Sequence, residues 1–127
     1  MKNAHILSPE EYKALEAKNT TEEAFRRALR KTAHDYGWTM QYHTRFSVGS
    51  DPGFPDEVFV QPGRGGMSRL VVVECKRVGK EPTDRQWEWL RALDRVPGVE
   101  AYCWTPADWD EIHAVLGRGW LTQEEGK

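Results

Sequence analysis

No apolar run in this sequence approaches the roughly 20 residues that a bilayer-spanning helix needs, which excludes a helical membrane protein. The chain opens Met-Lys-Asn-Ala-His-Ile-Leu-Ser-Pro, without an apolar h-region, so no secretory signal is expected. Cysteine is scarce. Cys75 and Cys103 stand alone, match no zinc-binding spacing and fall in expected strands. Reduced, buried thiols and a cytoplasmic location are the expectation. Neither sign of charge prevails: the net charge is -2, so the composition does not mark a nucleic-acid binder. Any contact with an anionic partner rests on local clusters, at Arg26, Arg27, Arg30 and Lys31 and at Lys76, Arg77, Lys80 and Arg85. A solvated helix face and a polar loop explain these clusters equally well. Repeats, low-complexity tracts and long linkers are also missing, and 127 residues suffice for one core.

What is present centres on residues 53–76. Gly53-Phe54-Pro55-Asp56 leads into a short apolar run, a glycine-rich turn follows at 62–66, and Leu70-Val-Val-Val-Glu74-Cys-Lys76 ends the stretch. In a strand, period two puts Leu70, Val72, Glu74 and Lys76 on one face and Val71, Val73 and Cys75 on the other. An acid and an amine thus share a face at the end of a buried strand, and a buried charge is costly unless it is paired or binds a metal. A tight hairpin brings Asp56 beside Glu74. Two carboxylates and a lysine at one point suit a divalent-metal site for phosphodiester hydrolysis.

Taken in order, Ser8-Pro9-Glu10-Glu11 has a serine cap, proline at N1 and glutamate at N3, and predicts a short helix to about Lys18. Thr20-Thr21-Glu22-Glu23 predicts a second, with Thr20 and Glu23 as a capping box and Phe25, Leu29, Ala33 and Tyr36 as its apolar face. Glu22 then lies on the buried side of that helix, and Gly37 ends it. Residues 38–46 read as a strand, with Trp38, Met40, Tyr42 and Thr44 facing one way and Thr39, Gln41, His43 and Arg45 the other. Two strands follow, Glu57–Gln61 and Arg69–Cys75. Thr83 and Gln86 cap a further helix carrying Trp87, Leu90 and Leu93. A strand over Val99–Trp104 and a last helix with Trp109, Ile112, Val115 and Leu116 inward complete the order, with Thr105–Asp108 opening that helix. The fold class expected is α/β, an antiparallel meander plus a strand–helix–strand crossover forming a mixed sheet flanked by helices.

With these residues placed, the sequence resembles the PD-(D/E)XK nuclease superfamily, and within it the small stand-alone VRR-NUC domain proteins of phages and bacteria. The resemblance runs from Thr21 to about Leu116. It rests on Thr21-Glu22-Glu23, Gly37-Trp38, Gly53-Phe54-Pro55-Asp56, Glu74-Cys75-Lys76, Gln86 with Trp89-Leu90, and Trp104-x-Pro106-x-Asp108, in that order. It implies a restriction-endonuclease-like α-βββ-α-β core in residues 20–117, a helical extension over 1–19 and a tail over 118–127. It also implies Mg²⁺ or Mn²⁺ as cofactor, DNA as substrate with branched forms such as Holliday junctions among the candidates, a homodimer, and the cytoplasm of a bacterial or phage-infected cell. By the same resemblance Asp56 and Glu74 are metal ligands, with the backbone carbonyl of Cys75 as a further one. Glu22 completes the site, in some cases through water; Lys76 polarises the phosphate or positions water; Gln86 supports the site. Glu57 departs from the family's usual apolar pair after Pro-Asp and is expected to face solvent or a sheet edge.

Plainer readings exist for each residue. Asp56 can start a strand or cap a turn. Glu74 and Lys76 can form an ion pair worth roughly 0 to 1 kcal/mol if exposed. Glu22 can serve the helix dipole, and Gln86 can be no more than half of a capping box. His43 and Arg45 are candidate phosphate contacts, together with Arg77, Lys80 and Arg85, but surface residues of a strand or loop are the commoner case. The tryptophans are mostly core candidates, with Trp120 an interface candidate. Cys75 is a poor nucleophile on a buried face without a histidine partner. The functional alternative to a nuclease is a catalytically silent nucleic-acid-binding or assembly module on the same fold. Retention of Glu22, Asp56, Glu74 and Lys76 argues against it. RNA or nicked DNA as substrate is a weaker third reading.

Overall fold

A computed structural model describes residues 6–44, 51–63 and 68–117. Arg45, the tail from 118 onward with Trp120, and most of the glycine-rich turn lie outside the described residues.

The first helix, α1 (Pro9–Asn19), has the expected start: the Ser8 hydroxyl accepts from the Glu11 amide, and the Glu11 carboxylate accepts from the Ser8 amide. None of its residues is buried. Helix α2 (Glu22–Asp35) starts one residue later than expected. Thr21 is the cap, accepting from the Ala24 amide, while Thr20 donates its hydroxyl to the Glu16 carbonyl. Glu23 therefore forms no capping box. It is exposed, 3.9 Å from Arg27 on the next turn. The apolar face is as expected: Phe25, Leu29 and Ala33 are buried and Tyr36 packs against them.

The sheet holds β1 (Met40–His43), β2 (Glu57–Gln61), β3 (Arg69–Cys75) and β4 (Val99–Trp104) in the spatial order β1-β2-β3-β4. The first three are antiparallel neighbours and β4 runs parallel to β3, with helix α3 (Asp84–Asp94) as the crossover. Helix α4 (Trp109–Gly117) closes the fold. The mixed α/β sheet with flanking helices agrees with the sequence reading.

One sheet face meets α2 and α4. Phe25, Leu29, Ala33, Trp38, Phe59, Val71, Val73, Cys75, Trp104, Ile112, Val115 and Leu116 form this core. A buried side chain of this size contributes about 1.5 to 3 kcal/mol, so this layer carries most of the fold. On the opposite face Val72 and Leu90 are buried, where α3 packs on β3 and β4. β1 is shorter than the expected strand over 38–46. Trp38 precedes it and turns into the core, its indole N–H donating to the Leu116 carbonyl at 2.9 Å, while Met40 and Tyr42 are exposed. The tryptophans divide in the same way: Trp38 and Trp104 are fully buried, and Trp87, Trp89 and Trp109 only partly. Cys75 is buried, but Cys103 is half-buried, on the face that α3 covers incompletely.

Candidate active site

The β2–β3 register pairs Glu57 with Val73. One step further puts Asp56 opposite Glu74, as the hairpin argument requires. The Asp56 carboxylate accepts from the Cys75 amide at 2.9 Å through Oδ2, which ties it across the strand pair. Glu74 is 1% exposed, and its Oε1 is buried without a hydrogen-bond partner. Lys76 lies just past the end of β3. Its amide donates to the Trp104 carbonyl at 3.0 Å, and its Nζ stands 3.8 Å from Glu74 Oε2.

Burial first, then the charge of the facing Asp56 carboxylate and a hydrogen bond to it, push the Glu74 carboxyl up to about 8 against the pull of Lys76. Glu22, the first residue of α2, is half-buried. Its carboxyl is also raised, first by burial and then by Asp56, with Lys76 and Arg26 pulling the other way. These mutual fields bring Glu22, Asp56, Glu74 and Lys76 into one neighbourhood. Burial pushes the Cys75 thiol well above its ordinary range, which removes the thiolate that a nucleophile would need.

The site has a second layer that the sequence reading did not identify. Glu57 is fully buried, contrary to the solvent-facing or edge position expected of it. In β2 it shares the core face with Phe59 and Gln61, and it receives Arg26 Nε at 2.6 Å and Arg30 Nη1 at 2.8 Å on one oxygen. Arg26 and Arg30 are therefore turned inward, and only part of the basic cluster on α2 is a solvated face. Arg26 also donates from Nη2 to the carbonyls of Thr44 (2.9 Å) and Asp56 (3.0 Å), and its Nη1 lies 3.8 Å from Asp56 Oδ1. Burial raises the Glu57 carboxyl against the pull of both arginines. The signal was present in sequence: arginines four apart on α2, next to Phe25 and Leu29, and an acid in period with Phe59.

The other candidates are dispersed. Gln86 forms the capping box with Thr83, its Oε1 accepting from the Thr83 amide at 2.9 Å, so the plain reading of this residue accounts for its carbonyl oxygen. Arg85 is bound by Asp51, at 2.7 Å from Nη2, and lies 3.5 Å from Glu88. The Asp51 carboxylate also accepts from the Gly53 amide and from the Trp89 indole, and Phe54 meets the Trp89 ring edge-on. Arg85 thus anchors the loop leading to Asp56. Lys80 is exposed, as is Arg77, whose guanidinium is 3.4 Å from the Lys18 carbonyl. His43 is half-buried on β1.

Among the described residues, no group of three or more His, Cys, Asp or Glu side chains is placed to hold a metal ion. The chemistry of the pair nevertheless fits a hard divalent cation, since Mg²⁺ binds through one or two carboxylates and keeps several waters. Glu22, Asp56, Glu57 and Glu74 face Arg26, Arg30 and Lys76, four acids against three bases, and the buried Oε1 atoms of Glu57 and Glu74 both lack a donor. A proton or a cation completes this balance. No helix among the described residues is long and apolar enough to cross a membrane. Comparison of the chain with protein-family models, with curated proteins and with solved structures finds no match.

Proposed function

We propose that this chain is a divalent-metal-dependent DNA endonuclease with a restriction-endonuclease-like α-βββ-α-β core. The observation that carries the reading is the Asp56–Glu74 carboxyl pair across β2 and β3, with Glu74 buried and Lys76 beside it. Asp56, Glu74 and the Cys75 carbonyl would hold Mg²⁺ or Mn²⁺, with Glu22 reaching it through water. When bound, such an ion neutralises phosphate charge and lowers the pKa of a water.

The chain's own residues do the rest. The Cys75 amide donates to the Asp56 carboxylate and holds it from the β3 side. Glu74 gives up its proton to enter the working state. Lys76 supplies positive charge where negative charge builds on the phosphoryl oxygens. The reaction is hydrolysis by water without a covalent enzyme intermediate. Branched DNA and a homodimer belong to the proposal through the family resemblance, and sedimentation of the free protein tests the second. The silent binding module is the competing reading. In its favour, the third carboxylate is not assembled with the other two into a ligand group.

The deciding experiment incubates the protein with a labelled four-way junction, duplex, nicked and single-stranded DNA, and a matched RNA, in Mg²⁺, Mn²⁺ or EDTA. Asp56→Ala and Lys76→Ala run alongside. Metal-dependent cutting is expected, reduced to background in Asp56→Ala and by about 10² to 10³ in Lys76→Ala. Cutting of all DNA forms alike removes junction selectivity and keeps the chemistry. Binding without cutting of any nucleic acid supports the silent module.

A further inference from the structure

We propose that Arg26 is a positioning residue: its guanidinium, clamped between the buried Glu57 carboxylate and the carbonyls of Thr44 and Asp56, fixes where the Asp56 carboxylate stands relative to Glu74. The inference rests on the nuclease reading for what the site is used for, but the geometry concerns the metal-free protein. Arg26 makes three hydrogen bonds of 3.0 Å or less to three different residues on two strand ends. The Asp56 carbonyl also accepts from the Thr44 amide at 2.9 Å. Its peptide is therefore held from α2 and from the end of β1 together. The carboxylate is held from the other side by the Cys75 amide, and Arg26 Nη1 stands 3.8 Å from its second oxygen. Asp56 thus sits between a cation fixed to α2 and an amide fixed in β3.

Glu57 supplies the fixed point in this arrangement. It is 0% exposed and holds Arg26 by the ε-nitrogen, leaving Nη2 to donate to the Thr44 and Asp56 carbonyls and Nη1 3.8 Å from Asp56 Oδ1. Arg30 shares the same Glu57 oxygen and, after Arg26, opposes the burial that raises this carboxyl. A guanidinium has the planar fork this needs, and a lysine ammonium does not. An ammonium has three N–H donors but one nitrogen, which cannot stand at the Nε and Nη2 positions at once, so the separate grips on Glu57 and on the two carbonyls are not both kept in place.

The Arg26→Lys variant separates placement from charge, and Arg26→Met/Glu57→Met removes the buried pair altogether. Replacing a buried ion pair by apolar residues is often neutral for stability, and Arg30, 26% exposed, can turn to solvent. Three readouts are needed: the thermal unfolding midpoint, the Cys75 amide shift and exchange rate without metal, and Mn²⁺ affinity by calorimetry. Expected in both variants are a folded protein, a displaced and faster-exchanging Cys75 amide, and Mn²⁺ binding weakened by about 10- to 100-fold, the usual cost of losing a partner behind a metal ligand. A Cys75 amide unmoved in Arg26→Lys, with Mn²⁺ affinity within twofold of wild type, overturns the proposal. Should the wild type bind no Mn²⁺ while the Cys75 amide still moves in the variants, the nuclease reading fails and the placement of Asp56 by Arg26 stands.

Discussion

Glu74 is the residue where burial and chemistry conflict most. Its carboxyl is held at about 8 in the folded chain, first by burial and then by Asp56, against an ordinary value of 4.5. The native state therefore binds a proton that the unfolded chain has released between these two values, and stability must fall as pH rises through that window. The metal-free protein is expected to be more stable at pH 5 than at pH 8. Glu74→Gln, which carries no such proton, should flatten this slope and exceed wild type at pH 8 by roughly 1 to 4 kcal/mol. Urea unfolding in EDTA across that range checks it, and a wild-type slope unchanged in the variant would show that Glu74 is not its source. The Asp56–Glu74–Lys76 arrangement was legible because it depends only on strand period and a hairpin. Glu57 was not. In Glu57-Val-Phe-Val-Gln61 the valines occupy alternate positions that ordinary patterning would turn inward. The structure instead buries Glu57, Phe59 and Gln61, because Arg26 and Arg30 reach Glu57 and the Gln61 amide reaches the Tyr36 carbonyl. Partners some 25 to 30 residues away decided the face, and period two does not see them.

At the scale of elements, Asp51, Gly53 and Phe54, just before Asp56, are fastened to α3. A Cβ on Gly53 would run into the Arg85 side chain and sit 2.8 Å from the Arg85 carbonyl oxygen, which is helix backbone and cannot step aside cheaply. Gly53→Ala should cost about 1 to 3 kcal/mol, as overpacking does, and should lower activity by displacing Asp56; a midpoint equal to wild type in thermal unfolding would contradict it. The same fastening depends on Asp51, whose carboxyl Arg85 and the Gly53 amide hold down at about 2, below its ordinary 3.8. A depressed carboxyl contributes stability above its unfolded value and loses it as pH falls through the folded one. The Gly53 amide, which donates to Asp51 at 2.9 Å, should therefore lose exchange protection between about pH 4 and pH 2, and Asp51→Ala, which has no acceptor, should show the loss already at neutral pH. Local signals served unevenly here. Thr83 and Gln86 form the box that their spacing predicts. The box expected of Thr20 and Glu23 did not form: Thr21 caps the helix, and the Thr20 hydroxyl donates to the Glu16 carbonyl instead.

For the whole molecule, element order and the mixed sheet followed from short connections and one crossover, since adjacent strands joined by a hairpin have few other ways to pair. How the helices divide between faces, and how α1 relates to the rest, depends on long-range packing that no local pattern contains. Helix α1 stands apart from the core. It buries none of its residues, its Lys13 lies 3.9 Å from Asp110 with both side chains exposed, and its apolar side chains Tyr12 and Leu15 remain exposed. An exposed ion pair of this kind contributes about 0 to 1 kcal/mol, and the helix's capping box stabilises α1 itself rather than its attachment. The twelve-residue core under α2 and α4 contains no α1 side chain. Removing residues 1–18 should consequently leave a cooperative fold, with the unfolding midpoint lowered by less than about 5 °C, the shift that 1 kcal/mol produces in a domain of this size. The comparison that matters is between folding and nucleic-acid affinity in the truncated chain. Arg77 reaches the Lys18 carbonyl at 3.4 Å, so truncation frees one basic side chain next to Lys76 in the sequence. Unchanged folding with unchanged DNA binding would make α1 dispensable to the site. Loss of cooperative folding would mean that α1 closes the core after all, and the separation of residues 1–19 from the 20–117 domain would have to be abandoned.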